Sequence, residues 1–224
     1  MKTGESLGSR LKRGVCCFGL SVVLPCPSVI EMAALAGYDF VRIDWEHALF
    51  GAIELRELLN TARLVGMPCQ VRVPELTMIT PLLGQEPAGI MVPHVESEKE
   101  ARAAVDACRF QPLGRRGMDG NTRRMRCEGM TRRTYMEYQQ ENLDIVVQIE
   151  SIPAMEKIDE ILSLDGITMA ATGRADLSQE LGFPGQKNHP AVLEAEEFII
   201  RKVLEHGKHP IIAAESAGRV GQLY

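Results

Sequence analysis

The chain has 224 residues, 45% of them hydrophobic and only 5% aromatic, enough for one sizeable core and for a single α/β domain spanning 1–224. Its net charge of −5 argues against a nucleic-acid partner, and no apolar run is long enough to span a bilayer. The six cysteines, Cys16, Cys17, Cys26, Cys69, Cys108 and Cys127, show no metal-ligand spacing and read as reduced core thiols of a cytoplasmic protein.

Along the chain, short apolar runs alternate with helical periods, the pattern of repeated βα units around a parallel sheet. Residues 10–24 mimic a signal peptide, with Arg10, Lys12 and Arg13 ahead of an apolar stretch, but a Pro-punctuated turn and a helix follow, so 15–20 is read as the first strand. A helix over 28–36 begins at Ser28 in what resembles a capping box and ends at Gly37. A strand at 40–44, a helix over 53–65 closed by Gly66, and strands at 69–73 and 89–92 come next. The helix over 97–108 opens on Ser97-Glu98-Lys99-Glu100, a second capping box. The connection 110–132 is longer than ordinary βα loops and reads as a lid or substrate loop. Arg115, Arg116, Arg123, Arg124, Arg126, Arg132 and Arg133 concentrate there or just beyond it. They are read as a solvated face, with an inner arginine left open to a carboxylate substrate. Helices over 132–140, 154–163 and 190–206 then alternate with strands at 145–149, 167–171 and 210–214. Residues 218–224 read as the opening of a further helix. Seven strands fall one short of an eight-stranded barrel, so the sequence is either cut short or closed by something else.

Two acids carry the chemical signal. Glu150 closes the apolar run 146–149, and Asp176 comes just after the run 166–173. A strand in a buried parallel sheet reads as a continuous apolar run, and in a β/α barrel the reacting groups sit where such strands end, so the two carboxylates would converge on one ion. Taken singly, each acid reads equally well as a helix cap or turn residue. Asp44, Glu46 and His47 follow 41–43, and Arg72 closes 70–72. A histidine beside a carboxylate can shuttle a proton near neutral pH, and an arginine near a divalent ion can stabilise developing oxyanion charge. On their own, His47 also reads as a loop histidine and Arg72 as a salt-bridged barrel arginine. A Schiff-base mechanism would need a lysine at a strand end, and no expected strand carries one.

The segments Ile43-Asp44-Trp45-Glu46-His47, Val71-Arg72-Val73, Gly89-Ile90-Met91-Val92-Pro93-His94-Val95, Gly114-Arg115-Arg116-Gly117, Gln148-Ile149-Glu150 and Gly173-Arg174-Ala175-Asp176-Leu177-Ser178 resemble the class II pyruvate aldolases of the HpcH/HpaI family, in order from about 14 to 214. The resemblance implies a (β/α)8 TIM barrel of the phosphoenolpyruvate/pyruvate type, here without its last strand and helix. It implies a metal-dependent carbon–carbon lyase that cleaves or forms a bond between a pyruvate-type 2-oxoacid and an aldehyde. Glu150 and Asp176 would bind Mg2+ or Mn2+, with Co2+ a further candidate, and pyruvate would chelate that ion through its carboxylate and keto oxygens. Arg72 would support the enolate or alkoxide oxygen. His47, oriented by Asp44 or a neighbouring acid, would move the proton, with Glu46 a second candidate partner; Gln148 and the backbone at Ala175 would hold the substrate. A homo-oligomer with C-terminal packing between subunits is also implied.

The chain departs from the family pattern in two places besides its end. Arg174 stands where the family usually has proline, where it would repel the ion or capture an extra substrate carboxylate. Gly84 replaces an aspartate that supports the catalytic histidine from a neighbouring subunit, with Glu86 the candidate substitute. Two alternatives follow. One is a metal-enolate decarboxylase or a biosynthetic condensing enzyme acting on oxaloacetate or another 2-oxoacid; the other is a catalytically weakened carboxylate-binding or assembly subunit.

Overall fold

The computed structural model describes residues 7–216 together with 218 and 219. In chain order the elements are α1 (Leu7–Lys12), β1 (Gly19–Val22), α2 (Pro27–Leu35), β2 (Phe40–Asp44), α3 (Ala52–Leu64), β3 (Cys69–Arg72), α4 (Ile79–Leu83), β4 (Gly89–Val92), α5 (Glu98–Cys108), α6 (Arg123–Glu128), α7 (Arg132–Asn142), β5 (Asp144–Ile149), α8 (Ile152–Glu156), α9 (Ile158–Leu162), β6 (Met169–Thr172), α10 (Arg174–Glu180), α11 (Pro190–Glu205) and β7 (His209–Ile211). The strands are neighbours in the sheet in the order of the chain. The β1–β2, β2–β3, β3–β4 and β6–β7 ladders are parallel, the α/β arrangement expected of repeated βα units. The chain divides into two compact units, Met1–Pro93 with Arg102–Val146, and His94–Ala101 with Val147–Tyr224.

Burial follows the periodicities. Every residue of β4, β5 and β6 is buried, as strands covered on both faces require. In α3, Leu55, Leu58, Leu59 and Ala62 form an apolar stripe at helical spacing; in α11 the corresponding stripe is Val192, Ala195, Glu196, Ile199 and Val203, with one carboxylate in it. Gly37, Gly66 and Gly207 adopt positive φ where α2, α3 and α11 stop. Ser97 accepts the Glu100 amide at 3.3 Å and the Glu100 carboxylate accepts the Glu96 amide at 2.8 Å, so the expected cap at the start of α5 forms. Among the described residues no helix is long and apolar enough to cross a membrane.

Several expectations need correction. The first strand starts at Gly19, because 15–18 lie outside the sheet with Val15 and Phe18 exposed, while the Phe40 ring covers Gly19 so closely that a Cβ there would sit 2.2 Å from it. Ser28 opens no capping box; α2 begins at Pro27 with Cys26 as its N-cap and no side-chain cap bond. The helix expected over 154–163 is split into α8 and α9 at Lys157, whose φ and ψ of −106° and 15° leave the helical region. The connection 110–132 contains α6, capped by the Thr122 hydroxyl on the Met125 amide at 3.4 Å and ended by Gly129 at φ 72°. Of the helix expected at 218–224, only Gly218 and Arg219 fall among the described residues, and both are helical.

The arginine-rich segment is not simply a solvated face. Arg116 lies 4.6 Å from the Phe110 ring centre and donates to Gln139 at 2.9 Å and to the Tyr135 hydroxyl at 3.1 Å; Arg124 lies 4.3 Å from the Tyr138 ring centre and pairs with Glu128. The cysteine reading also changes. All six are free, but only Cys69 and Cys108 are core thiols, pushed up to about 12 by burial, while Cys16, Cys26 and Cys127 are exposed.

In the first unit, Asp144 opens β5 with only 5% of its surface exposed, and Gly89 supplies the room, since a Cβ there would lie 2.9 Å from the Asp144 Cβ and 3.0 Å from the Gln70 Cγ. Burial raises the Asp144 carboxyl to about 7, against the lowering effects of the Gln70 hydrogen bond and of Arg109 and Lys12. The folded state therefore holds a proton that the unfolded chain, with an aspartate near ~3.9, gives up. Stability falls as pH rises from about 4 to about 7, by an amount on the order of a few kcal/mol, and levels off above that. Asp144→Asn should remove this slope and raise the urea midpoint at pH 8. Superimposable pH profiles for the two proteins would contradict it.

Candidate active site

In the first unit, the β2–β3 ladder sets Asp44 opposite Arg72, so the last residues of two neighbouring parallel strands share a face of the sheet. Arg72 grips Asp44 with a fork, Nε to Oδ1 at 3.0 Å and Nη2 to Oδ2 at 2.5 Å, and its Nη1 lies 3.1 Å from Glu46 Oε2. Burial alone would raise the Asp44 carboxyl, but the Arg72 hydrogen bonds and charge, aided by the His47 amide, hold it below the usual aspartate range. That amide donates to Asp44 Oδ1 at 3.2 Å, whereas the His47 ring, 63% exposed, places Nε2 3.4 Å from Glu46 Oε2. Of the two acids open as partners for the His47 ring, Glu46 is the one that faces it; Asp44 fixes the His47 backbone. Trp45 secures the following turn, its indole donating to the Phe50 carbonyl at 3.0 Å.

In the second unit, Glu150 follows β5 directly and is only 2% exposed. A buried carboxylate is tolerated where hydrogen-bond donors surround it. Its Oε1 accepts the His94 amide at 2.9 Å and stands 3.0 Å from His94 Nδ1, and Oε2 accepts a short bond from the Gln148 amide group. His94 reaches this position in the left-handed region, at φ 52°, with its ring 59% exposed. Gly173 leaves no room for a side chain, because a Cβ there would lie 2.3 Å from Glu150 Oε2. Gly173 is also the N-cap of α10, which places Arg174, Ala175 and Asp176 in the first helical turn. Ala175 is exposed; Asp176 is half-buried, its Oδ1 accepting from Gln179 at 3.5 Å.

The donor chemistry here fits a hard divalent ion. Glu150 and Asp176 offer only carboxylate oxygens, the ligands Mg2+ and Mn2+ prefer. Among the described residues no group of three or more His, Cys, Asp and Glu side chains gathers as a closed metal cage. An ion held by one or two carboxylates, with water and substrate completing its shell, matches that sparse donor set.

The HpcH/HpaI aldolase/citrate lyase family model matches residues 18–216. The chain belongs to the HpcH/HpaI aldolase/citrate lyase family. It is 32% identical over 201 residues to 2-keto-3-deoxy-L-rhamnonate aldolase of Escherichia coli strain K12, covering 89% of this chain and 75% of that protein. Among solved structures it resembles the HpcH/HpaI aldolase from Desulfitobacterium hafniense DCB-2, at 29% identity and a TM-score of 0.89, over 97% of this chain and 85% of that one. It also resembles citrate synthase SbnG, at 30% identity and a TM-score of 0.87, with the same coverage. Family membership bears out the expected class, a carbon–carbon lyase of the aldolase kind.

The structure shows what Arg174, and the residues around Gly84, touch. Arg174 is only 5% exposed, and its guanidinium donates to Asn188 Oδ1 at 2.8 Å and to the Lys187 and Ala213 carbonyls at 3.3 and 3.4 Å, with Nε 3.4 Å from Glu196 Oε1. The suggestion that it repels the ion or meets a substrate carboxylate is therefore corrected: the group is consumed by internal partners. Within this chain Glu86, the candidate substitute for the family aspartate, faces Arg124. At φ 57° its carboxylate accepts the Arg124 amide at 3.2 Å and pairs with Arg124 Nε at 3.7 Å, while Gly84 only ends α4. Two residues were given no role by the sequence reading, although His94 lies in one of the segments that carry the family resemblance. His94 carried the available signal of a polar residue directly after Pro93 at the end of a buried strand, and Glu196 that of a carboxylate on the apolar stripe of a long helix.

The fork between Arg72 and Asp44 can be tested apart from catalysis. Arg72→Ala leaves the Asp44 and Glu46 carboxylates without their cation and should destabilise the fold by about 3–5 kcal/mol in urea titration. Adding Asp44→Asn should recover part of that loss, giving a clearly non-zero coupling in the double-mutant cycle. Strict additivity would mean that the two groups do not depend on each other.

Proposed function

We propose that this protein is a metal-dependent aldolase that cleaves or forms a carbon–carbon bond between a pyruvate-type 2-oxoacid and an aldehyde, with Glu150 and Asp176 as its ligands for Mg2+ or Mn2+. The observation that carries the reading is the buried Glu150 carboxylate, held by His94 and Gln148 against Gly173, one helical turn from Asp176. The name of the 32% identical relative, which contains a 2-keto acid, supports a 2-oxoacid substrate. The TM-score of 0.89 to the Desulfitobacterium aldolase supports a (β/α)8 barrel as the parent architecture, with β1 to β7 as its first seven strands.

When bound, a divalent ion supplies Lewis acidity to a chelating 2-oxoacid. The protein's own groups do the rest. Gln148 and the backbone at Ala175 orient the 2-oxoacid. Asp44 and Glu46 hold the Arg72 guanidinium in a fixed attitude, so that it meets developing oxyanion charge without reorganising. In the cleavage direction the His47 ring takes the proton of the substrate hydroxyl, with Glu46 beside Nε2 to stabilise the resulting imidazolium. The carbon–carbon bond then breaks, the aldehyde leaves, and the electron pair remaining on the 2-oxoacid carbon takes a proton back.

The likeness to citrate synthase SbnG favours one second reading, a condensation of the same 2-oxoacid carbanion with a different electrophile. Product analysis separates the two. The first step common to both is read by proton NMR of pyruvate in D2O with the protein and Mg2+. Loss of the methyl signal should require the ion, stop with excess chelator, and fall on the order of a hundredfold or more in Glu150→Gln and Asp176→Asn, with melting run alongside to establish that each variant is folded. Full exchange in either folded variant would overturn the ligand assignment.

A further inference from the structure

We propose that Glu196 is a positioning residue for the metal loop, acting through Arg174 and Thr172; this rests on the assignment of Glu150 and Asp176 as ligands made above. Glu196 is wholly buried on the apolar stripe of α11, where a lone carboxylate would be strongly unfavourable. Its Oε1 accepts the Thr172 hydroxyl at 3.0 Å and lies 3.4 Å from Arg174 Nε, and its Oε2 is paired with Arg219 Nη2. One carboxylate thus grips both flanks of Gly173, from the last residue of β6 to the first residue of α10.

The place of that grip gives it a function. Gly173 is the residue against which Glu150 lies, so closely that a Cβ would come within 2.3 Å of its Oε2. Asp176 is in the same helical turn as Arg174. A shift of the segment 172–174 would therefore move Asp176 and open the contact with Glu150 together. Arg174 extends the clamp to Asn188 and to the Lys187 and Ala213 carbonyls, tying the loop before α11 and the segment after β7 to the same point. In a chain with proline at this position the loop would be stiffened by the ring itself; here the buried ion pair takes over that task. A guanidinium buried beside Gly173 needs an opposing charge, and Glu196 supplies it.

The test is Mn2+ affinity by electron paramagnetic resonance titration of the purified full chain, with thermal melting run alongside. Glu196→Gln keeps the shape and removes the charge, and should weaken Mn2+ binding about tenfold or more, within the range seen when groups that orient metal ligands are lost. Arg174→Gln should do the same, and the double variant should be little worse than either single one, because both act through one clamp. If Glu196→Gln fails to fold, Thr172→Val, which removes only the hydroxyl donor, should still weaken Mn2+ binding several-fold. Wild-type Mn2+ affinity in folded Glu196→Gln or in Thr172→Val, even with a lowered melting temperature, would reduce Glu196 to a structural residue and overturn the proposal. A wild-type protein that binds no Mn2+ would overturn the ligand assignment itself, and this inference with it.

Discussion

The second unit is organised by the need to satisfy one buried carboxylate. Glu150, at the end of a strand buried along its whole length, reaches little water, so its oxygens depend on donors brought to them by the chain. Gln148 supplies one from the same strand and His94 supplies its amide and its ring nitrogen. The cost of meeting that need is visible in the backbone. His94, a residue with a Cβ, is held at positive φ, and Gly173 has lost all room for a side chain.

Four acids show how the surroundings decide the fate of a buried carboxyl. Asp44 pairs with a forked guanidinium, and the hydrogen bonds and charge of Arg72 outweigh burial, so its pKa falls. Asp144 has an amide and only more distant cations, burial wins, and its carboxyl rises to about 7. Glu196 meets two arginines and a hydroxyl, an arrangement that serves geometry more than stability, since buried ion pairs seldom stabilise a fold outright. Glu150 accepts from the His94 amide and from the Gln148 side-chain amide on its own unit.

The sheet was largely legible in the sequence. The spans expected at 40–44 and 89–92 coincide with β2 and β4; β4 is an uninterrupted apolar run buried along its length, and β2 is mostly buried with Arg42 interrupting the run. The apolar run at 15–20 misled for the opposite reason: part of it is exposed, and only pairing with β2 determines where the strand begins. Helices α6 and α10 have six and seven residues, too few for a helical period to stand out, and their ends are set by Thr122, Gly129 and Gly173. At the site, strand-end positions were readable for Asp44, Arg72 and Glu150, whereas Asp176 stands in the first turn of α10. The partners of the site residues were not readable. That Arg174 turns to Glu196, that Glu86 turns to Arg124, and that Glu46 rather than Asp44 meets the His47 ring are consequences of tertiary packing that no local spacing encodes.

The central claim, that Glu150 and Asp176 together hold the divalent ion, is tested most directly by anomalous diffraction from crystals soaked in Mn2+. An anomalous peak within coordination distance of a carboxylate oxygen of both residues is the predicted result. A well-occupied peak elsewhere in the chain, with none at Glu150 and Asp176, would contradict the account.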